Sequence, residues 1–348
     1  MRTHLLSLAV LMWVGCPVPV PDDGCKDDPS VCGPGTVCDP ATNRCGVLSI
    51  DMASSDAKGA ATDMTSSSDM TLMAWIPQAS GTTSSLNGIW GADASNIWVV
   101  GGSGTILKWN GVSWSAQTSG TTSSLNAVWG FDTNNVWAVG LSGTILKWNG
   151  ATWAPQSSGT TDALYASWGA DLNNVWAGGY DSTASSLILK WNGTAWTRQT
   201  VAFMQPVHCI WGANASNIFA GAGIYDLLRY NGTTWRGQTS VFTSTPLAMW
   251  GSDANNVWVA GGFGNIKKWD GTTWSSQSGA TSQYLFGLFG TSPTNLWAVG
   301  AGGTIAHGTG TGWSLQTSGT TASLNGVWAA DANNVWIVGG NGTILRKG

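Results

Sequence analysis

Charge is scarce in this sequence. Asp, Lys and Arg together supply 9% of its 348 residues, and glutamate is absent. From residue 74 onward stand nine Asp, four Arg, two His and one Cys. That inventory is thin for an enzyme, because general acid–base catalysis needs paired carboxylates or a histidine in a tuned environment. Asp93, Asp132, Asp171, Asp253 and Asp331 recur at one position of a repeat, which marks them as structural. No catalytic residue, metal site or cofactor is expected. The same region has ten basic against nine acidic residues and no basic stripe, which excludes a nucleic-acid interface. Four basic and nine acidic residues precede it, so the formal charge of −4 belongs to the N-terminal part. The apolar run from Leu5 to Val14 is shorter than the roughly 20 residues that cross a bilayer as a helix. Apolar residues at three- and four-residue spacing are missing too, which argues against an array of helical repeats.

What is present is a sentence written seven times. Its anchoring tryptophans are Trp75, Trp114, Trp153, Trp196, Trp235, Trp274 and Trp313, at spacings of 39, 39, 43, 39, 39 and 39 residues. Between them run L-N-x-V-W-G, N-V-W-x-V-G and G-T-I-L-K-W-N-G, with a Gln three residues after each anchor. Four short β-rich runs in a period near 40 residues predict a propeller blade. In the second repeat the runs are 125–129, 135–139, 144–148 and 152–156, each bounded by Gly, Asn or Ser. The expected architecture is all-β: a seven-bladed β-propeller with four antiparallel strands per blade over 74–348. The last repeat ends with three strands written, so residues 74–79 are expected as its outer strand, closing the ring. Asn110-Gly111, Asn149-Gly150, Asn192-Gly193, Asn231-Gly232 and Asp270-Gly271 predict two-residue type I′ hairpins between third and fourth strands. The G-x-D-x-N-N-V-W turns predict Asx turns rather than calcium loops, since each brings a single carboxylate.

Ahead of the repeats, residues 1–15 read as a secretory signal: Arg2 and His4, a short apolar core, then Gly15. The V-G-C ending resembles a bacterial lipobox, which implies lipidation of Cys16 and a tether over 16–24. Cys25, Cys32, Cys38 and Cys45 fall in C-x6-C-x5-C-x6-C spacing among Gly and Pro. They are expected to form two disulfides in a small module over 25–45, with three pairings open. Residues 46–73 have linker composition.

Most tryptophans recur with strand period and are expected between blades. Gln78, Gln117, Gln156, Gln199, Gln238, Gln277 and Gln316 are expected to tie sheets together. His208 and Cys209 are neighbours on an inner strand and point to opposite faces, so they form no nucleophile–base pair. His307 is expected to be exposed. The repeats diverge in blades three to six, at loops that share one face of a propeller. There stand Tyr180, Asp181, Phe203, Tyr225, Asp226, Phe242, Phe263 and Tyr284, the candidate ligand-binding residues.

Over 74–348 the motifs N-V-W-x-V-G and G-T-I-L-K-W-N-G-x-x-W resemble bacterial seven-bladed propellers of the Asp-box (BNR-like) and photosystem II assembly-factor-like superfamily. More loosely they resemble the seven-bladed fucose-binding lectins. The resemblance implies the fold. The chain departs from these families in lacking a full S-x-D-x-G-x-T-W Asp-box, the G-H…W-D pair of WD40 repeats and the arginine cluster of the assembly factors. No functional residue therefore carries over. Propeller sialidases need central arginines, whereas Arg198 and Arg236 fall on outer strands and Arg229 and Arg346 on third strands. The expectation is a monomeric, non-enzymatic recognition propeller on the bacterial cell surface or outer membrane, touching the membrane through its lipid alone. Its ligand is a glycan or an envelope or extracellular protein. Alternatives are an envelope assembly or scaffold factor, a lectin with equivalent sites in every blade, and a glycoside hydrolase dependent on Asp181 or Asp226.

Overall fold

The computed structural model describes the backbone of residues 36–39 and 44–47, and residues 75–348 apart from positions 184, 202, 239, 240 and 280. The chain divides into two units, Met1–Ser66 and Ser67–Gly348. In the first, Thr36–Asp39 and Arg44–Val47 pair as an antiparallel hairpin whose register makes Cys38 and Cys45 Cα partners. The expected signal segment, Cys16, Cys25, Cys32 and the linker from residue 48 lie outside the described residues.

The second unit consists of seven four-stranded antiparallel sheets. The inner strands touch in chain order, and the last, Leu324–Ala329, touches the first, Leu86–Asp93, which closes the ring. Closure is completed by Trp75–Pro77, which pairs with Ile344–Lys347 in the register Trp75↔Lys347, Ile76↔Arg346 and Pro77↔Leu345. The expected strand over 74–79 is thus shorter, with the Gln78 N–H adding a last bond to the Ile344 carbonyl. In blade two the strands are Leu125–Asp132, Asn135–Gly140, Ile145–Trp148 and Trp153–Gln156.

Burial follows each strand's place between neighbouring blades. The second strand, N-V-W-A-V-G in blade two, is covered on both faces and is buried from its second residue onward. Three side-chain devices join the blades. First, the inner-strand tryptophan lies over a glycine of the next blade: Trp90 over Gly130, Trp129 over Gly169, Trp168 over Gly212, Trp211 over Gly251, Trp250 over Gly290 and Trp328 over Gly91. A Cβ at Gly130 would stand 2.5 Å from the Trp90 ring, which explains the W-G pair. Blade six carries Phe289 in place of this tryptophan, and its neighbour carries Ala329 in place of the glycine. The smaller ring stands where the extra methyl stands.

Second, the lysine of I-L-K-W lies over the buried second-strand ring. Lys108 sits 5.0 Å from Trp98 and 5.2 Å from Trp148 of the next blade. Lys147, Lys190, Arg229, Lys268 and Arg346 repeat the contact on Trp137, Trp176, Phe219, Trp258 and Trp336. In blade six His307 stacks on Trp297 at 4.1 Å and its Nε2 lies 2.8 Å from Asn295 Oδ1. His307 is therefore half-buried packing, not the exposed residue expected. Burial, then Lys347, lowers its pKa. Third, outer-edge aromatics pack against the preceding blade, as Trp109 and Trp114 do on Trp336.

The turns differ from expectation in one respect. Asn110 is not a corner residue: its N–H bonds the Ser113 carbonyl, while its Oδ1 accepts from the N–H of Val112 and Ser113. The corner pair is Gly111-Val112, with only Gly111 at positive φ, whereas a type I′ turn needs positive φ at both central residues. Gly150, Gly193, Gly232 and Gly271 repeat it, correcting the type I′ expectation. The Asx turns are as expected, with Asp93 Oδ1 accepting from the Ser95 N–H at 2.8 Å. Gln78, Gln117, Gln156 and Gln199 bond back to their own outer strands. Gln238 does reach across, accepting from Trp274 Nε1 of the next blade.

Candidate functional site

In every blade the loop entering the inner strand and the turn from second to third strand meet at the same end of the sheet. In blades one, two and seven this face is short and self-satisfied. Ser80, Ser119 and Ser318 each donate to a backbone carbonyl two residues on. The turn tips are Ser103, Ser142 and Asn341, each left-handed with φ near the value that Gly302 takes in blade six.

Blade three keeps the loop bond, from Ser158 to the Thr160 carbonyl, and blades five and six keep the turn backbone. The side chains and the remaining loops of blades three to six differ, and the structure sorts the eight candidates into two groups. Three do structural duty or pack inward, and a fourth lies within a strand. Asp181 organises the inserted turn of blade three: it accepts from the Thr183 hydroxyl, from the N–H groups of Thr183 and Ser185, and from Arg198. The Thr183 hydroxyl, Arg198 and the Ser185 N–H hold its carboxyl well below the usual range. Phe203 packs on the blade-four core against Gly237. Phe242 is 2% exposed within the core of blades four and five, so it presents no surface to a ligand. Asp226 opens the third strand of blade four.

The other four are exposed: Tyr180, Tyr225, Phe263 and Tyr284. The same loops also expose Met204, at 73%, and Ile224. In the corresponding loops of blades one, two and seven only Leu141 is an exposed large apolar residue among those described. Met204 and Ile224 were missed as candidates because single aliphatic residues in loops carry no pattern. Their signal is positional: they stand where the other repeats carry Ser, Gly or Thr.

Aromatic contacts connect the rim with the channel. Phe263 lies 5.1 Å from Tyr284, and Tyr284 lies 6.3 Å from Phe286 on the inner strand. Tyr180 stacks on Tyr165 at 5.6 Å, and Tyr165 lies 6.3 Å from His208. Burial, then the Tyr180 hydroxyl, raises the Tyr165 phenol to about 12. Burial lowers the His208 pKa, favouring the neutral imidazole. Its neighbour Cys209 is buried and its thiol is pushed up to about 12, so it is an inert packing residue.

Tyr165, His208 and Phe286 occupy equivalent positions. Each inner strand has a one-residue bulge near its start, at Asn87, Asn126, Tyr165, His208, Leu247, Phe286 and Asn325. A bulge re-aims the side chain it carries. In blades seven, one and two the bulged asparagine donates to the next blade: Asn325 to the Leu86 carbonyl, Asn87 to Leu125 and Asn126 to Leu164, at 2.8–2.9 Å. Blades three to six have replaced it.

Phe263 shares the left-handed backbone of the turn tips Ser103, Ser142 and Asn341, but with a large exposed ring. It is 65% exposed and left-handed, with φ of 55°. A non-glycine residue held there costs on the order of 1–2 kcal/mol. Phe263→Gly is therefore expected to raise the midpoint of chemical denaturation, by about 1 kcal/mol of stability. A lower midpoint would mean that the ring's contact with Tyr284 outweighs the strain.

These features define a seven-bladed β-propeller with one face divided into a self-bonded half and an apolar, aromatic half. Three solved structures are similar to it. YCF48 bound to a D1 peptide matches with TM-score 0.65 at 15% identity, over 78% of this chain and 94% of that one. YCF48 from Cyanidioschyzon merolae matches with TM-score 0.63 at 16% identity, over 79% and 98%. The WD40 β-propeller domain of Doa1 matches with TM-score 0.68 at 12% identity, over 80% and 97%. At these identities the likeness is one of fold. No family model matches the chain, and no curated protein sequence does.

Proposed function

We propose that this chain is a non-enzymatic binding propeller that recognises a polypeptide segment on the divergent face of blades three to six. The carrying observation is the concentration of Tyr180, Met204, Ile224, Tyr225, Phe263 and Tyr284 there as exposed side chains. Large apolar side chains exposed together on one face of a folded domain support an interaction site, and aromatics enriched there serve as anchors. A polypeptide is favoured over a glycan by the aliphatic members. Met204 and Ile224 offer a sugar neither a stacking plane nor a hydrogen bond. No tryptophan is exposed among the described residues, which removes the preferred sugar platform. One protein of similar fold, YCF48, has been solved bound to a D1 peptide, which supports the reading.

The test uses peptides enriched on the whole chain from a random dodecapeptide display library. Tyr180→Ala, Tyr225→Ala and Phe263→Ala combined are expected to weaken binding about a hundredfold or more, as loss of three anchors at about 1 kcal/mol each would. The same chain is expected to leave a broad glycan array blank. A glycan ligand without any enriched peptide would overturn the proposal.

A further inference from the structure

We infer that the channel mouth on this face is the specificity-determining part of the site, where Tyr165, His208, Leu247 and Phe286 seat an uncharged, apolar side chain of the bound polypeptide. The inference rests on the polypeptide-binding reading above.

The bulged asparagine is needed for a geometric reason. The residue opposite the strand's first residue turns its N–H the other way: Gly101, Gly140, Gly300 and Gly339 donate to the carbonyls of Thr105, Thr144, Thr304 and Thr343. The carbonyl of that first inner-strand residue thus finds no donor in its own sheet. Asn325 and Asn87 supply one to Leu86 and Leu125. Leu247 and Phe286 have no donor to give, and no described side chain bonds the carbonyls of Leu285 and Leu324, residues that are wholly buried. A buried carbonyl without a partner is a loss that an asparagine, already used at three equivalent positions, would remove. The fold gives up this bond in a run of adjacent blades, and gains there a crescent of half-buried, uncharged side chains.

The crescent is continuous with the exposed rim through Phe286, Tyr284 and Phe263 on one side, and through Tyr165 and Tyr180 on the other. Its polar groups are the Tyr165 hydroxyl and the His208 imidazole, and the rest of its surface is ring or aliphatic carbon, so the group it fits is an aliphatic or aromatic side chain. A cationic or acidic one would be desolvated there without an opposite charge to pair with.

The probe is again the set of peptides enriched on the wild-type chain. L247N/F286N is expected to raise Tm by a few degrees, because each asparagine gains the inter-blade bond of blades seven, one and two, and to weaken peptide binding at least tenfold. L247A/F286A, which adds no bond, is expected to weaken binding equally without the rise in Tm. Unchanged binding in both variants, with loss in the rim variant, would overturn the mouth as the site and leave the face reading standing. A lower Tm for L247N/F286N would overturn the claim that the fold forgoes a bond there. Failure of the wild-type chain to enrich any peptide would overturn the face reading itself.

Discussion

Trp75→Ala should lower stability by about 3–5 kcal/mol, the cost of emptying a buried aromatic site, and by more than the same change at Trp153. Both indoles start outer strands and are buried. Trp153 belongs to a continuous blade, where its neighbours hold the strand. Trp75 is the anchor of a three-residue strand that pairs with the chain's last strand, and it meets Trp297 edge to face at 5.3 Å. Losing it frees Ile344–Lys347 as an unpaired edge, so Trp75→Ala alone should also make the chain associate with rising concentration. Denaturant titration at several concentrations measures both effects. Equal, concentration-independent losses in the two variants would show that ring closure adds nothing beyond local packing.

The second large effect lies between blades. Gly130→Ala puts a methyl 2.5 Å from the Trp90 ring, far inside ordinary contact distance, and should cost about 3 kcal/mol of overpacking. Trp90→Phe should rescue part of that loss, because the Phe289 and Ala329 pair already packs this way between blades six and seven. A double-mutant cycle is expected to give a favourable coupling of about 1–3 kcal/mol. Additive effects would mean that the W-G pairing is accidental.

The fold was legible because propeller packing is repetitive. Every blade has the same buried second strand, and six of the seven share the W-G contact and the Lys or Arg over a ring, so the sequence repeats with the period of the structure. The hairpin corners were misread because the Asn-Gly pair does not say whether Asn stands at the corner or before it, and the bonds of Asn110 place it before. The candidate face was legible as a break in repetition, but which residues look outward was not. Phe242 and Tyr225 are both loop aromatics of divergent blades, yet one fills the core and the other meets solvent. The channel-mouth residues were visible as aligned positions. Their meaning waited on the bulge and on the asparagine bond, both long-range features of neighbouring inner strands.

The central claim, that one half of one face does the binding, is tested most directly by comparing peptide affinity in two matched variants. One is Y180A/Y225A/F263A on the divergent half; the other is S103A/L141A/N341A at the turns of blades one, two and seven. Loss of binding in the first, with wild-type affinity in the second, is the predicted result. Loss in both, or in the second alone, would contradict it.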